Sequence, residues 1–427
     1  MALRQRLASV IFPGSANPPM LLTQVSSAWR ELALATPRLW TTLTIRTSHP
    51  NLAPILSMWL PRSGILSLKL ELNGLCASLF LPGPARDAIQ PHLHRIEHLT
   101  IRCYPGATAL DDRALLDLNA AFPVDELRGL QSVQLGRYLL APGAVTRIQF
   151  LQHHPSLRDV HLDSIPTTDV DLPWAQLTAF TITGDDVEEY GDALRLAENV
   201  THSAPTILQN PERDMVPTTH QKLRHLSLIA ESFDENPHFL CGLTLPALET
   251  LELFDSDHIQ SADFDAFIKR SSARLKTLVF SPNDLQYNLD IGSFELEQLR
   301  NLTRLELRHC TTTLMASFLR SFGEGSRFLP NLEKLVIECT VERDLVEESR
   351  WNADSAADYS FLVRRVAEGV LGRDGMQGVP KCWVHLEARQ SFLDYSTSTT
   401  PSKQELALYE SVRRAGGQLY LSFQQPT

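Results

Sequence analysis

A six-residue pattern, L-x-x-L-x-L with other apolar residues allowed at its three fixed places, returns along most of the chain and limits its fold more than any other feature. It reads IEHLTI from Ile96, LQSVQL from Leu130, LRDVHL from Leu157, LTAFTI from Leu177 and LRHLSL from Leu223. It continues as LETLEL from Leu248, LKTLVF from Leu275, LTRLEL from Leu302 and LEKLVI from Leu332. Successive starts lie 34, 27, 20, 46, 25, 27, 27 and 30 residues apart. Upstream, WTTLTI from Trp40 and ILSLKL from Ile65 fit the same pattern. The last apolar pair of each hexamer alternates with its neighbours, as a strand with one buried face requires. A single unit of this size cannot bury its own apolar face, so the units must stack and share one continuous core.

The 46-residue step reads as two steps with a worn unit between them. VTHSAP from Val200 sits 23 residues from each neighbour and puts Ser203 and Pro205 where apolar residues belong. Proline there forfeits a ladder hydrogen bond, so a poor strand is expected. Between the strands the spacing turns helical. Phe264 and Ile268 share one stripe in DFDAFIKR, and Leu314, Phe318 and Phe322 recur four apart. A strand and a helix in units of this length resemble leucine-rich repeats. The implied fold is an α/β solenoid, a leucine-rich repeat horseshoe with parallel strands on the concave face and helices on the convex face. Cys310, three residues beyond Leu307, stands where such repeats often carry Asn or Cys, and a small buried side chain is expected there.

At 427 residues the chain exceeds one compact core unless it grows by repetition. Three segments are expected: a helical one over 1–45, the repeats over 46–340, and a capping part over 341–427. In the last, the acidic ERDLVEESRWNADSAADYS reads as an inserted loop. A helix in FLVRRVAEGVLG, a strand near CWVHLEA, a helix in SKQELALYESVRRAG and a strand in QLYLSF follow, with Gly416 and Gly417 stopping the last helix.

In the first segment Leu21, Val25, Trp29 and Leu32 fall at i, i+4, i+8 and i+11, one face of a helix. That helix should fail by Thr36, because the residue before Pro37 is driven out of the helical region. Leu7, Val10, Ile11 and Phe12 form a second apolar group. The stretch LLTQVSSAWRELALATPRLW resembles the second half of an F-box, whose pattern is L-x-x-V-C/S-x-x-W-R-x-L-A followed by T/S-P-x-L-W. LASVIF resembles the end of the first F-box helix, and ILSMWLPRSGILSLKLEL resembles the link by which some F-box proteins enter leucine-rich repeats. The Leu-Pro pair that opens the family pattern has no counterpart before Leu7, and Val10 stands in place of the family's Glu, so a truncated first helix is expected.

The resemblance implies the substrate receptor of an SCF-type cullin–RING ubiquitin ligase. The F-box docks on a Skp-type adaptor, and through it a cullin, while the repeats hold a protein target. Carried over residue by residue, the docking set is Leu7, Ile11, Phe12, Leu21, Val25, Trp29 and Leu32. For Trp29 and Leu32 the alternative is packing against the first repeat. For the whole chain it is an interaction scaffold with a degenerate F-box and no ligase role. The target would meet polar template positions on the concave face: His98, Arg158, His161, Arg224, His225, Glu249, Glu252, Lys276, Arg304 and Glu306. Their mixed signs suit a protein partner, and a formal charge of −11 argues against nucleic acid. The interruptions over 104–126, 281–298 and 340–359 are longer than ordinary connections and offer further surfaces.

No phosphate-cradling GxxxxGK[ST], GxGxxG after a strand, GxSxG or HExxH motif occurs, so a non-enzymatic protein without a cofactor is expected. His153 and His154 are expected at a helix end, near its terminal carbonyls. Asp185 and Asp186 read as a helix cap. The six cysteines are scattered with no CxxC pair, which disfavours a metal site or a disulfide scaffold and fits a cytoplasmic or nuclear location. No apolar run reaches the roughly 20 residues of a membrane span. The sequons at Asn199 and Asn301 read as chance matches.

Overall fold

The computed structural model describes residues 18–46, 51–74, 83–103, 119, 122–123, 125–136, 147–184, 187–207, 216–230, 238–254, 261–271, 274–281, 299–310, 329, 331–339, 383–389 and 418–424, with 403, 407, 410, 411 and 414. The chain divides into two compact units, Ala2–Thr206 and Ile207–Thr427.

The first unit opens with α1 (Pro18–Val25) and α2 (Ser27–Leu34). The single helix expected through this stretch is broken at Ser26, which is extended and whose hydroxyl accepts the Trp29 N–H at 3.2 Å. That side chain satisfies one of the orphan donors of a new helix start, so capping wins over continuation. α2 stops at Leu34, ahead of Thr36 and Pro37 as expected. Then follow β1 (Thr42–Arg46), α3 (Leu52–Trp59), β2 (Leu68–Gly74), α4 (Gly83–Ile89), β3 (Ile96–Cys103), β4 (Ser132–Leu135), β5 (Asp159–Asp163), β6 (Ala179–Gly184), α5 (Val187–Leu196) and β7 (His202–Ser203).

These seven strands lie side by side in chain order, all parallel. The register stacks Leu70, Leu99, Val133, Val160 and Phe180 in one column and Leu72, Ile101, Leu135, Leu162 and Ile182 in the next, all buried. Each such side chain contributes roughly 1.5–3 kcal/mol on leaving water. The repeat at Ile65 departs from its expected frame. Leu68 pairs with Ile96, the ladder shifts between Leu68 and Lys69, and Ile65 lies outside the core, 94% exposed.

The worn unit forms a two-residue strand, as its composition predicts. Ser203 pairs with Phe180 in the ladder and is only 3% exposed. Its hydroxyl donates to the Phe180 carbonyl at 2.7 Å and meets the Tyr190 hydroxyl of α5 at 3.1 Å, so a polar pair fills a place that other repeats give to an apolar side chain. The amide nitrogen of Asn199, the first sequon, donates to the Ala175 carbonyl at 2.5 Å.

After β8 (Thr206–Ile207) and β9 (Thr218–Thr219), the second unit carries β10 (His225–Ala230), β11 (Leu243–Thr244), β12 (Thr250–Phe254), α6 (Ser261–Ser271), β13 (Thr277–Ser281), β14 (Arg304–Cys310), β15 (Lys334–Cys339), β16 (Trp383–Arg389) and β17 (Gln418–Gln424). β10, β12, β13, β14 and β15 are parallel neighbours in that order. They stack Leu226, Leu251, Leu278, Leu305 and Leu335, and beside them Leu228, Leu253, Phe280 and Leu307, all buried. Cys310 sits opposite Cys339 past a register irregularity. α6 buries Phe264, Phe267 and Ile268 against the repeats, with the Phe264 ring 5.4 Å from that of Phe280. The two strands expected near the C-terminus form and pair with each other, Trp383 opposite Gln418 through Arg389 opposite Gln424. The helices expected around Leu314 and in FLVRRVAEGVLG, and the acidic loop, lie outside the described residues. Among the described residues no helix is long and apolar enough to cross a membrane. One parallel strand per hexamer, with the template leucines stacked inward, makes this an α/β solenoid of leucine-rich repeats.

Candidate protein-interaction surfaces

The helical pair α1–α2 presents its apolar side chains outward. Leu21 is 50% exposed, Val25 60%, Trp29 47%, Leu32 59% and Leu34, which the stripe did not include, 41%. Leu7, Ile11 and Phe12 lie outside the described residues. The helices are anchored by a different set. Ala33 is buried, and its carbonyl accepts the Trp40 indole N–H at 2.9 Å. Trp40 is wholly buried, edge-on to Trp59 with ring centroids 4.8 Å apart. The Trp59 indole N–H in turn donates to the Trp40 carbonyl at 3.0 Å, and the Arg62 guanidinium lies 4.8 Å from the Trp40 ring. Small Ala33 allows the close approach, and the tryptophans supply area and direction. Packing on the first repeat is thus the work of Ala33 and Trp40, while Trp29 and Leu32 stay out.

On the strand face of the first unit, His98 lies in a register column with Lys69, Ser132 and Asp159, and His161 in one with Glu71, Thr100 and Gln134. Arg158 is exposed at a strand start and donates to the carbonyls of Pro155 and Leu157, each at 2.9 Å. Burial holds the His161 imidazole below its ordinary range, against the pull of Asp163 and Asp159 and with a push from Arg102. Glu71, Asn73 and Arg102 complete a network the template did not reveal. Arg102 donates to Gln134 Oε1 at 3.0 Å and lies 3.6 Å from Glu71 Oε1, while Thr44 and Asn73 each donate to Glu71 at 3.1 Å. Carrying the period-two alternation one step past the hexamer would have reached Glu71, Arg102 and Arg308.

In the second unit Arg224 is exposed and His225 Nε2 lies 3.8 Å from Glu252. Glu249 accepts the Lys276 ammonium at 2.9 Å, and that hydrogen bond holds its carboxyl below the usual range. Glu306 behaves differently, being 2% exposed. Arg304 grips one carboxylate oxygen with Nε at 2.6 Å and with Nη2; Arg308 grips the other with Nε at 3.0 Å and Nη2 at 2.5 Å. Burial alone would raise this carboxyl, but the two forks outweigh it and keep it below the usual value. Glu306 orders two arginines on the face, and Arg304 keeps 44% of its side chain exposed.

An open cleft of about 500 Å³ is lined by Asp87, Gln90, Pro91, His94, Asp125, Glu126 and Arg128. Among the described residues no group of His, Cys, Asp and Glu is placed to hold a metal ion. His154 is buried near the Phe150 carbonyl, and burial lowers its affinity for a proton. Asp185 and Asp186 lie outside the described residues; α5 begins at Val187, directly after them.

Among solved structures the chain is similar to the leucine-rich repeat-containing protein LegL7 from Legionella pneumophila, at 12% identity and a TM-score of 0.39 over 76% of this chain and 97% of that one. It is also similar to a chain of the Rad7 and Elc1 complex in yeast, at 16% identity and a TM-score of 0.29 over 78% of this chain and 96% of that one. No family model matches the sequence, and no curated relative matches it.

Proposed function

We propose that the chain is a non-catalytic receptor in which α1 and α2 dock on a Skp-type adaptor, linked through it to a cullin, and the repeats hold a protein target for ubiquitination. The observation that carries this reading is the cluster Leu21, Val25, Trp29, Leu32 and Leu34. These side chains stay exposed on a helical pair whose own anchoring uses Ala33 and Trp40 instead. Contiguous exposed apolar side chains mark interaction sites, and tryptophan is a frequent anchor in them. The strand faces, with cations and anions paired across repeats, suit a protein target held by complementary charge.

Binding of the full chain to purified Skp-type adaptor, compared with the double substitution Val25→Ala and Trp29→Ala, tests the reading. Both side chains are about half exposed, so circular dichroism and melting temperature should hardly change, while affinity should drop roughly thirtyfold or more. An intact chain that does not bind the adaptor would leave the other reading, a leucine-rich repeat scaffold with no ligase role.

A further inference from the structure

We infer that Ile65, on the turn leading into β2, belongs to the same docking surface as α1 and α2, and that one partner, the adaptor proposed above, covers both; the inference rests on that reading. A lone exposed isoleucine needs no explanation, but this one has a particular place. Its sequence frame offers it to the core, but Leu70 and Leu72 take the two apolar columns beside β1 and β3, and Ile65 stands 94% exposed. Gly64 beside it takes the left-handed region at φ 59°. A Cβ added there would lie 4.0 Å from the Cβ of Pro37, which is three residues beyond Leu34. The turn carrying Ile65 therefore rests against the turn that closes α2.

The turn is also held on both sides of Ile65. Gly64 N–H donates to the Pro61 carbonyl at 3.1 Å and Leu66 N–H to the Ser63 carbonyl at 3.2 Å. The Arg95 guanidinium reaches across from the next repeat to Ser63 Oγ and the Leu66 carbonyl, both at 2.6 Å. Arg62, in the same turn, covers Trp40, whose indole holds Ala33 of α2. Ile65 is thus fixed relative to α2, which spares a partner the entropy of ordering it. Of the eight large apolar side chains exposed among the described residues, five belong to α1 and α2 and a sixth is Ile65. A partner that seats Trp29, Leu32 and Leu34 meets Ile65 as the continuation of one apolar surface.

Isothermal titration of the full chain with purified Skp-type adaptor tests this. Ile65→Glu and the neutral Ile65→Ser should each weaken binding about tenfold, Ile65→Val should stay within about threefold, and all three should melt like the parent because the side chain is exposed. A parent that binds and loses binding on the Val25→Ala and Trp29→Ala substitutions, yet is indifferent to Ile65→Ser, overturns the inference and leaves the proposed function standing. A parent that does not bind at all overturns the proposed function, and the inference with it.

Discussion

The worn repeat offers a sharp test of how a solenoid tolerates a polar residue inside. Ser203 and Tyr190 share a hydrogen bond at 3.1 Å in a fully buried place, and Ser203 also donates to the Phe180 carbonyl at 2.7 Å. Ser203→Ala withdraws the acceptor of this Tyr190 hydrogen bond along with the donor to Phe180. A net hydrogen bond is worth about 1 kcal/mol, so losing both makes a loss of about 2 kcal/mol the expected result. Tyr190→Phe removes only the phenol oxygen and should cost about 1 kcal/mol. Both single variants remove the one hydrogen bond the two residues share, so the loss in the double variant should fall short of the sum by about 1 kcal/mol. Urea denaturation followed by circular dichroism measures all three. A second reading comes from alkaline pH. Burial raises the Tyr190 phenol above its ordinary value near 10, the hydrogen bond with Ser203 opposing. Because the folded value is the higher one, the stabilisation is complete below pH 10 and is lost as pH rises beyond it, and Tyr190→Phe should abolish that share of the loss. Losses that simply add, or a Ser203→Ala variant as stable as the parent, would refute the coupling.

Gly129→Ala would place a Cβ 2.9 Å from the His94 carbonyl oxygen, a backbone atom that cannot swing aside, so a loss of about 1–3 kcal/mol is expected. Gly83→Ala, with nothing within 4 Å, should be neutral, and equal melting temperatures for the two variants would refute the argument. For His154, burial lowers the folded pKa below the ordinary 6.5, so the unfolded chain binds the proton more readily and stability falls as pH drops below 6.5 toward the folded value. His154→Met should remove up to one proton's share of that acid slope in melts between pH 8 and 5, and an unchanged slope would count against it.

The inward half of this fold was legible because packing repeats the same demand at every turn of the solenoid. Leu226, Leu251, Leu278, Leu305 and Leu335 occupy one column, so the pattern declares itself by recurrence. Where a stretch alternates beyond one hexamer, recurrence alone does not fix the frame. ILSLKLEL fits the template with Ile65, Leu68 and Leu70 at its three places, yet pairing with β1 and β3 puts Leu70 and Leu72 in the two apolar columns and leaves Ser67 at the first place. The break at Ser26 was hidden for a related reason. The stripe from Leu21 to Leu32 is compatible with one helix, and a single side-chain bond to Trp29 N–H decides for two. Leu21, Val25, Trp29 and Leu32 of the candidate docking set nevertheless stay exposed on the two helices. The outward face obeys pairs, not periods, so the template alone presents it as ten separate polar residues. Yet RLELR from Arg304 places Arg304, Glu306 and Arg308 two apart on one face of a strand, which sets a carboxylate between two guanidinium forks before any neighbour is considered. Reading charge signs at a spacing of two, in addition to apolar letters, would have separated Glu306, spent within its own strand, from Arg304, which still faces solvent.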